Sequence, residues 1–231
     1  MLLILCAMKD EVSEIMKMVK IKECFTVFGM EYCRGTIGST EVVTGMTGVG
    51  KVMSAIVTQK LSDMFCPEGI IFAGIAGAVN PRINIGDIVV SADCMQHDMD
   101  ASSVGFEIGE IPYTGIRILN ADPRLLSAVK SYKSSGIKLI TGRILTGDQF
   151  ISTASAEKRE LLSVKLGGDA VEMEGAAAAF AASINNIPFL IVRIISDKAD
   201  GNAPSDFKQF LNRSSVLIAD IIQHILDNLD N

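Results

Sequence analysis

Three carboxylic acids in this chain stand just after apolar runs of strand length. Glu11, Glu174 and Asp197 each follow such a run within four residues. The carboxyl ends of neighbouring strands meet along one edge of an α/β sheet, so these side chains can share one site. Two carboxylic groups with separated pKa values can protonate a leaving group and activate a water molecule. Together the three acids could carry acid–base chemistry, although each acid alone is more often a cap, a turn residue or an acid at a helix N-terminus.

The elements that must position these acids follow one another along the whole chain. Apolar runs of strand length alternate with helical patterns, as in layered α/β proteins. With 231 residues, 48% apolar, and a mean hydropathy of +0.35, the chain can bury one large core. We predict one domain over residues 1–231, a three-layer α/β/α sandwich with a central twisted, mixed and mostly parallel sheet. Predicted strands lie at 2–7, 25–37 with a turn at Gly29, 41–47, 69–73, 87–92, 139–145, 170–173 and 189–195. Predicted helices lie at 12–19, 53–64, 123–133, 156–164, 176–184 and 207–229, and a long surface loop at 96–116.

Composition limits the partners and the compartment. A net charge of -6 spread along the chain argues against nucleic acid and anionic membranes, which leaves small molecules or protein. Five irregularly spaced cysteines without a C-x-x-C pair indicate neither a disulfide framework nor a zinc site, so we expect a reducing, cytoplasmic location. The apolar start has no preceding basic residue, and no apolar run reaches the ~18 residues of a membrane span.

Three further motifs have competing explanations. Residues 45–51 match the phosphate loop G-x-x-x-x-G-K, but Val52 replaces the hydroxyl residue that would ligate Mg²⁺, which disfavours an ATPase or GTPase. The small residues at 73–78 could let a flat ligand lie against the backbone, or could serve packing alone. His97, Asp98 and Asp100 resemble a metal cluster, but the chain has only two histidines, so we expect no metal.

Taken in chain order, these motifs resemble the methylthioadenosine/S-adenosylhomocysteine nucleosidases of the purine nucleoside phosphorylase-like superfamily. Nine separated blocks over nearly the whole chain carry the resemblance, at residues 6–12, 48–51, 74–77, 86–91, 97–100, 147–151, 171–174, 195–197 and at Phe207. The resemblance implies hydrolysis of the N-glycosidic bond of methylthioadenosine, S-adenosylhomocysteine and 5′-deoxyadenosine, with no metal or organic cofactor.

The resemblance also implies a role for each site residue. Asp197 would be the general acid that protonates N7 of adenine, with Ser196 holding its side chain, and Glu11 the base that positions and deprotonates water. The substrate-binding residues would be Met173 and Glu174 on the ribose, Phe150 and Ile151 on the purine, Gly77 where the backbone approaches the ligand, and Met8, Val49 and Phe207 around the 5′-thioalkyl group.

The family further implies a homodimer in which residues 101–112 close the pocket of the neighbouring subunit. The side chains of Val104, Phe106, Ile108 and Ile111 are expected to be exposed there. The chain departs from the family at Ile75, where members often carry serine, and at Val104, where they often carry an aromatic residue.

Two other functions remain open. A nucleoside phosphorylase of the same fold would need an anion site, but Gly86 stands where purine phosphorylases carry arginine, and Glu11 would repel phosphate. A non-catalytic nucleoside-binding or adhesion module would be indicated by loss of Glu11 or Asp197, and both are present.

Overall fold

The computed structural model describes residues 1–151, 155–198 and 207–229, excepting the side chains of residues 207–209. The strands are β1 (Leu2–Cys6), β2 (Lys20–Val27), β3 (Met30–Ile37), β4 (Thr40–Met46), β5 (Gly69–Ala78), β6 (Ile88–Gln96), β7 (Leu119–Asn120), β8 (Leu139–Thr146), β9 (Ala170–Glu172) and β10 (Phe189–Asp197). The helices are α1 (Lys9–Met18), α2 (Lys51–Phe65), α3 (Pro123–Lys130), α4 (Ala156–Arg159), α5 (Gly175–Ile184) and α6 (Phe207–Asp227). A 3₁₀ turn at Ser102–Val104 and a π-helical turn at Glu160–Lys165 complete the described elements.

All the described strands join one sheet in the order β10-β6-β8-β9-β5-β1-β4-β3-β2, with β7 beside β6. Strand β10 also pairs with β5, so β5, β10, β6, β8 and β9 close into a ring. The predicted mixed α/β sheet is confirmed, although antiparallel pairings are as frequent as parallel ones. One reason is the tight hairpin between β2 and β3, where Phe28 and Gly29 both adopt positive φ, the geometry that suits a two-residue hairpin turn.

The helices pack in two groups that cover the sheet. Helix α6 packs against α1 and α3, and α2 packs against α5. Every residue of β1 and of β10 is buried, as expected for strands covered on both faces. The carboxyl ends of β1 and β10 are therefore anchored in the interior of the protein.

One disulfide joins neighbouring strands of the sheet. Cys24 of β2 lies opposite Cys33 of β3 and is bonded to it, whereas Cys6, Cys66 and Cys94 are free. The prediction that the cysteines form no disulfide is therefore wrong for this pair. The pairing depends on the hairpin register, which brings two residues nine positions apart into contact.

None of the helices in the described part of the chain is long and apolar enough to cross a membrane.

Candidate active site

A cavity of about 430 Å³ lies at the carboxyl ends of β1, β5, β9 and β10. Its lining includes ten of the residues predicted from sequence, namely Met8, Glu11, Val49, Gly77, Phe150, Ile151, Met173, Glu174, Ser196 and Asp197. The expectation that Glu11, Glu174 and Asp197 share one cavity is met. The side chain of Phe207, the remaining predicted residue, lies outside what the structure describes.

Glu11 is held in place by the backbone around it. Its Oε2 accepts hydrogen bonds from the N–H groups of Ala7 (3.1 Å) and Met8 (2.9 Å), and its Oε1 accepts one from Ile75 (2.9 Å). Burial raises the pKa of this carboxyl group, while Arg193 and the three N–H groups act in the opposite direction. A raised pKa suits a carboxylate that must take a proton during a reaction.

Gly74 leaves open the space beside Glu11. A Cβ atom at this position would lie 2.6 Å from Glu11 Oε1, closer than real Cβ contacts. Part of the run of small residues noted in the sequence therefore has a steric reason: side chains there would displace the carboxylate.

Asp197 owes its position to an irregularity in β10. Ile195 pairs with Ala76 and Asp197 pairs with Gly77, so the intervening Ser196 is an extra residue in the ladder. Such bulges redirect side chains near active sites. Ser196 Oγ donates to Asp197 Oδ2 at 2.7 Å, and a Cβ on Gly77 would lie 3.0 Å from Asp197 Oδ1.

Glu172 and Glu174, one residue apart, have different surroundings. Glu172 accepts hydrogen bonds from the N–H groups of Glu174 and Gly175 at the start of α5 and from the hydroxyl of Thr146. It therefore serves the helix N-terminus, the ordinary explanation for an acid at this place. Glu174 Oε1 instead accepts the N–H of Gly50, the residue before α2, at 2.8 Å.

The pKa of Glu174 is raised to about 7, first because the carboxyl group is buried and second because Glu172 is close by. Its charge is thus lost more easily than that of an exposed glutamate.

Arg193 is a charged residue next to the cavity acids that the sequence analysis did not single out. It is fully buried in β10, pairs with Glu172, and has Nη2 3.8 Å from Glu174 Oε2. Its guanidinium group stands over the ring of Phe72. A signal was available, since a buried arginine inside an apolar strand requires carboxylate partners nearby.

Apolar side chains form the rest of the cavity wall. Phe150 is 65% exposed and Val49 is 54% exposed, while Met8, Ile151 and Met173 are half-buried. These residues provide flat and flexible apolar surface next to the acids, as in sites that bind a base and an alkyl group.

Two of the three motifs with competing explanations have ordinary partners. Lys51 is the lysine of the G-x-x-x-x-G-K match. Its Nζ lies 2.7 Å from Asp98 Oδ1, so its ammonium group is paired with a carboxylate and is not available to a phosphate. Asp100 Oδ1 accepts the N–H of Ser102. Within the described ranges, no group of three or more His, Cys, Asp or Glu side chains is arranged to hold a metal ion.

Comparison with known proteins agrees with this architecture. The family model of the phosphorylase superfamily matches residues 2–227. The 5′-methylthioadenosine/S-adenosylhomocysteine nucleosidase of Shewanella sp. (strain MR-7) is 32% identical over 228 residues, covering 98% of this chain and 96% of that protein. The chain therefore belongs to the phosphorylase superfamily, and within it to the 5′-methylthioadenosine/S-adenosylhomocysteine nucleosidases.

Two solved structures are similar over nearly their full length. The nucleosidase of Colwellia psychrerythraea 34H in complex with adenine has a TM-score of 0.91 and 31% identity, covering 99% of this chain and 95% of that one. The futalosine hydrolase of Helicobacter pylori strain 26695 has a TM-score of 0.89 and 30% identity, covering 98% and 97%. The resemblance read from the nine sequence blocks is confirmed.

Proposed function

We propose that this chain hydrolyses the N-glycosidic bond of 5′-methylthioadenosine and S-adenosylhomocysteine, releasing adenine and the thioribose product. The observation that carries the proposal is the single cavity that unites Glu11, Glu174 and Asp197 beside an apolar wall. Membership of the nucleosidase family and the likeness to a relative crystallised with adenine support the same substrates.

In this proposal Asp197 and Glu11 act on opposite sides of the bond that breaks. As the bond between C1′ and the purine lengthens, its electron pair moves to adenine and the Asp197 proton is transferred to N7. The sugar develops oxocarbenium character, as in glycoside hydrolysis generally. A water molecule bonds to C1′ through its oxygen and gives its proton to Glu11. The Glu174 carboxylate accepts hydrogen bonds from the ribose hydroxyls and offers negative charge to the developing cation.

The binding groups then have simple tasks. Phe150 stacks on the purine, the Ile151 backbone contacts its edge, and Gly77 lets the strand backbone approach it. Met173 packs on the ribose, and Met8, Val49 and Phe207 surround the 5′-thioalkyl group. Neither a metal nor an organic cofactor takes part.

Water is favoured over phosphate by the charge of the cavity. Its lining within the described residues includes four carboxyl groups, those of Glu11, Glu172, Glu174 and Asp197, of which Asp197 carries the proton in this proposal, and no lysine, arginine or histidine. Arg193, the nearby cation, is fully buried and already paired with Glu172. A phosphate dianion would therefore meet net repulsion.

The test is adenine release from methylthioadenosine by the purified chain, with and without inorganic phosphate, and with the sugar product identified by mass spectrometry. We expect equal rates in both conditions and free methylthioribose as product. Phosphate dependence with a sugar 1-phosphate would indicate a phosphorylase, and binding without cleavage would indicate a non-catalytic module.

Two further substrates belong in the same assay. We include 5′-deoxyadenosine because it has the same adenine and ribose parts. Futalosine hydrolysis is a second candidate activity, since a futalosine hydrolase is 30% identical to this chain over 98% of its length. Comparison of kcat/KM among the four nucleosides ranks the candidates.

We further propose that the chain works as a homodimer. Val104, in the region 101–112 expected to contact a neighbouring subunit, is 70% exposed, although Phe106, Ile108 and Ile111 are half-buried rather than exposed as expected. Tyr113, just beyond that region, is 94% exposed. The outer face of α2 adds two exposed apolar side chains one helical turn apart, Val52 and Ile56.

Light scattering at micromolar concentration should therefore give the mass of two chains. Replacing both Val52 and Ile56 with lysine should shift the protein towards the monomer, because burying these charges at an interface is costly. A wild-type monomer would contradict the prediction.

The location in the cell and the number of domains complete the proposal. A cytoplasmic location is supported by the free thiols of Cys6, Cys66 and Cys94, while the Cys24–Cys33 disulfide counts against it. Cell fractionation tests it. A single domain over residues 1–231 is supported by the sheet that all described strands share, and one cooperative unfolding transition is expected.

The pH dependence should show the titration of Glu174. Because its pKa is raised to about 7, its charge is lost as the pH falls through that value, and kcat/KM should decline there. Glu174→Gln should lower kcat more than it raises KM, because the amide still bonds the ribose but carries no charge. Its pH profile should also flatten near neutrality, with the remaining decline due to Glu11.

The measurement is kcat and KM across the pH range for wild type, Glu174→Gln and the control Glu160→Gln, which changes an exposed acid. A Glu174→Gln enzyme with normal kcat and an unchanged profile would refute the assignment.

A further inference from the structure

The side chain of Lys51 joins three separate segments, two of which lead to residues that line the cavity. Its Nζ lies 3.2 Å from Oε1 of Gln96, the last residue of β6, and 2.7 Å from Oδ1 of Asp98, two residues further on. The same Nζ lies 3.9 Å from Asp148 Oδ2, in the loop after β8. Lys51 itself is the first residue of α2, and its side chain is only 16% exposed.

Backbone groups close this cluster into a continuous network. The N–H of Lys51 donates to Asp148 Oδ1 at 2.8 Å, and the N–H of Asp148 donates to Asp98 Oδ2 at 2.9 Å. Asp98 thus accepts from the Lys51 ammonium group and from the N–H of Asp148. Asp148 accepts the N–H of Lys51 and lies within ion-pair distance of its ammonium group. Gly50 also fits tightly, since a Cβ there would lie 3.2 Å from Asp148 Oδ1. The start of α2 and the loop after β8 are therefore held at a fixed separation.

Both ends of this network lead to proposed substrate-binding groups. Phe150 and Ile151 follow Asp148 by two and three residues, and both line the cavity. The Phe150 ring is 65% exposed, so little packing holds it and its place depends on the loop backbone. On the other side, Gly50, next to Lys51, donates its N–H to Glu174 Oε1.

We propose that Lys51 is a positioning residue for this reaction: through Asp98 and Asp148 it holds the loop with Phe150 and Ile151 in register with the start of α2, and thereby with Glu174. Purine and ribose are then received in the correct relative placement. Fixing such a loop before binding avoids the ordering cost that binding would otherwise carry. The inference rests on the proposed purine-binding role of Phe150 and Ile151.

The cluster is better suited to this role than to binding an anion or to stability alone. Two carboxylates already neutralise the Lys51 ammonium group, which leaves no net positive charge for a phosphate. The Lys51–Asp98 pair is mostly buried, so its removal also lowers stability, and KM must be compared at a temperature where both proteins are folded.

The test compares Lys51→Met, which keeps much of the side-chain volume but removes the charge, with wild type on methylthioadenosine. We expect KM to rise about tenfold with kcat within about threefold, as for a loss of uniform binding. Asp98→Asn should act in the same direction, and Lys51→Arg should restore part of the loss. The matched control is Arg34→Met, which removes a partly exposed ion pair with Glu41 away from the cavity.

If the role of Lys51 is purely structural, Lys51→Met should lower the melting temperature and leave KM unchanged. This is the result expected for the control Arg34→Met, and the same result for Lys51→Met overturns the proposal. An unchanged KM in both Lys51→Met and Asp98→Asn overturns it as well.

A Phe150→Ala variant, alone and combined with Lys51→Met, separates this inference from the function on which it rests. Phe150→Ala should raise KM, and Lys51→Met should add little to it, because a missing ring no longer needs positioning. If Phe150→Ala leaves KM unchanged, the purine-binding role fails and the inference fails with it. If Phe150→Ala raises KM, and Lys51→Met then raises KM by the same factor in Phe150→Ala as in wild type, the binding role stands and Lys51 does not act through the loop.

Discussion

Asp197→Asn is expected to reduce the turnover of methylthioadenosine by about 10²–10⁴-fold, the usual loss when a positioned acid is removed. Asparagine has nearly the same shape and can still accept a hydrogen bond from Ser196 Oγ, which lies 2.7 Å from Asp197 Oδ2. It cannot deliver a carboxylic proton to N7, so adenine must leave as a poor leaving group. The substrate should still bind, since the apolar wall and Glu174 are untouched.

The measurement combines adenine release, substrate binding by calorimetry, and a thermal melt. Asp63→Asn provides the control, because Asp63 is an exposed aspartate on α2. A folded Asp197→Asn enzyme with near-normal turnover would mean that another group supplies the proton. Loss of both binding and fold would call for Ser196→Ala, which leaves the acid in place and should reduce turnover less.

Glu11→Gln is the second change with a large expected effect, again about 10²–10⁴-fold in turnover, because an amide cannot take a proton from water. The structure adds a cost that side-chain shape alone does not indicate. Both Glu11 oxygens accept backbone N–H groups, from Ala7, Met8 and Ile75. The glutamine NH₂ must face at least one of these donors, and an unsatisfied buried donor costs about 1–3 kcal/mol.

We therefore expect Glu11→Gln to melt at a lower temperature than wild type, and its turnover must be compared well below that temperature. Glu11→Asp separates the two effects, since it keeps the carboxylate but withdraws it by one methylene and should retain part of the activity. Glu14→Gln, one turn away on the same helix, is the control. Near-normal turnover in folded Glu11→Gln would remove Glu11 from the role of base.

Much of the site could be predicted because its chemistry is written in local patterns. Fully buried strands appear as uninterrupted apolar runs. A carboxylate at the end of such a run, as at Asp197, or in the first turn of the helix that follows it, as at Glu11, marks the carboxyl end of a strand. Those strand ends lie on one edge of the sheet, so the acids found separately along the chain do share one cavity. The nine sequence blocks then sufficed to indicate the family.

What only the tertiary structure decided depends on contacts between distant segments. The pairing of Cys24 with Cys33 follows from hairpin register, and the closure of β10 on β5 follows from the course of the whole sheet. The division between Glu172, which serves the α5 N-terminus, and Glu174, which faces Gly50, could not be read from two acids one residue apart.

Arg193 and Lys51 illustrate the same limit. Each looks ordinary in sequence, one as an interruption of an apolar strand and the other as part of an incomplete phosphate loop. Their charge partners are carboxylates that lie 21 residues away for Arg193 and 47 for Lys51. The sequence by itself determined which groups were available and on which elements they lie, because periodicity and capping are local. The tertiary packing decided which charged groups pair, because electrostatic interactions depend on distance in space and not on distance along the chain.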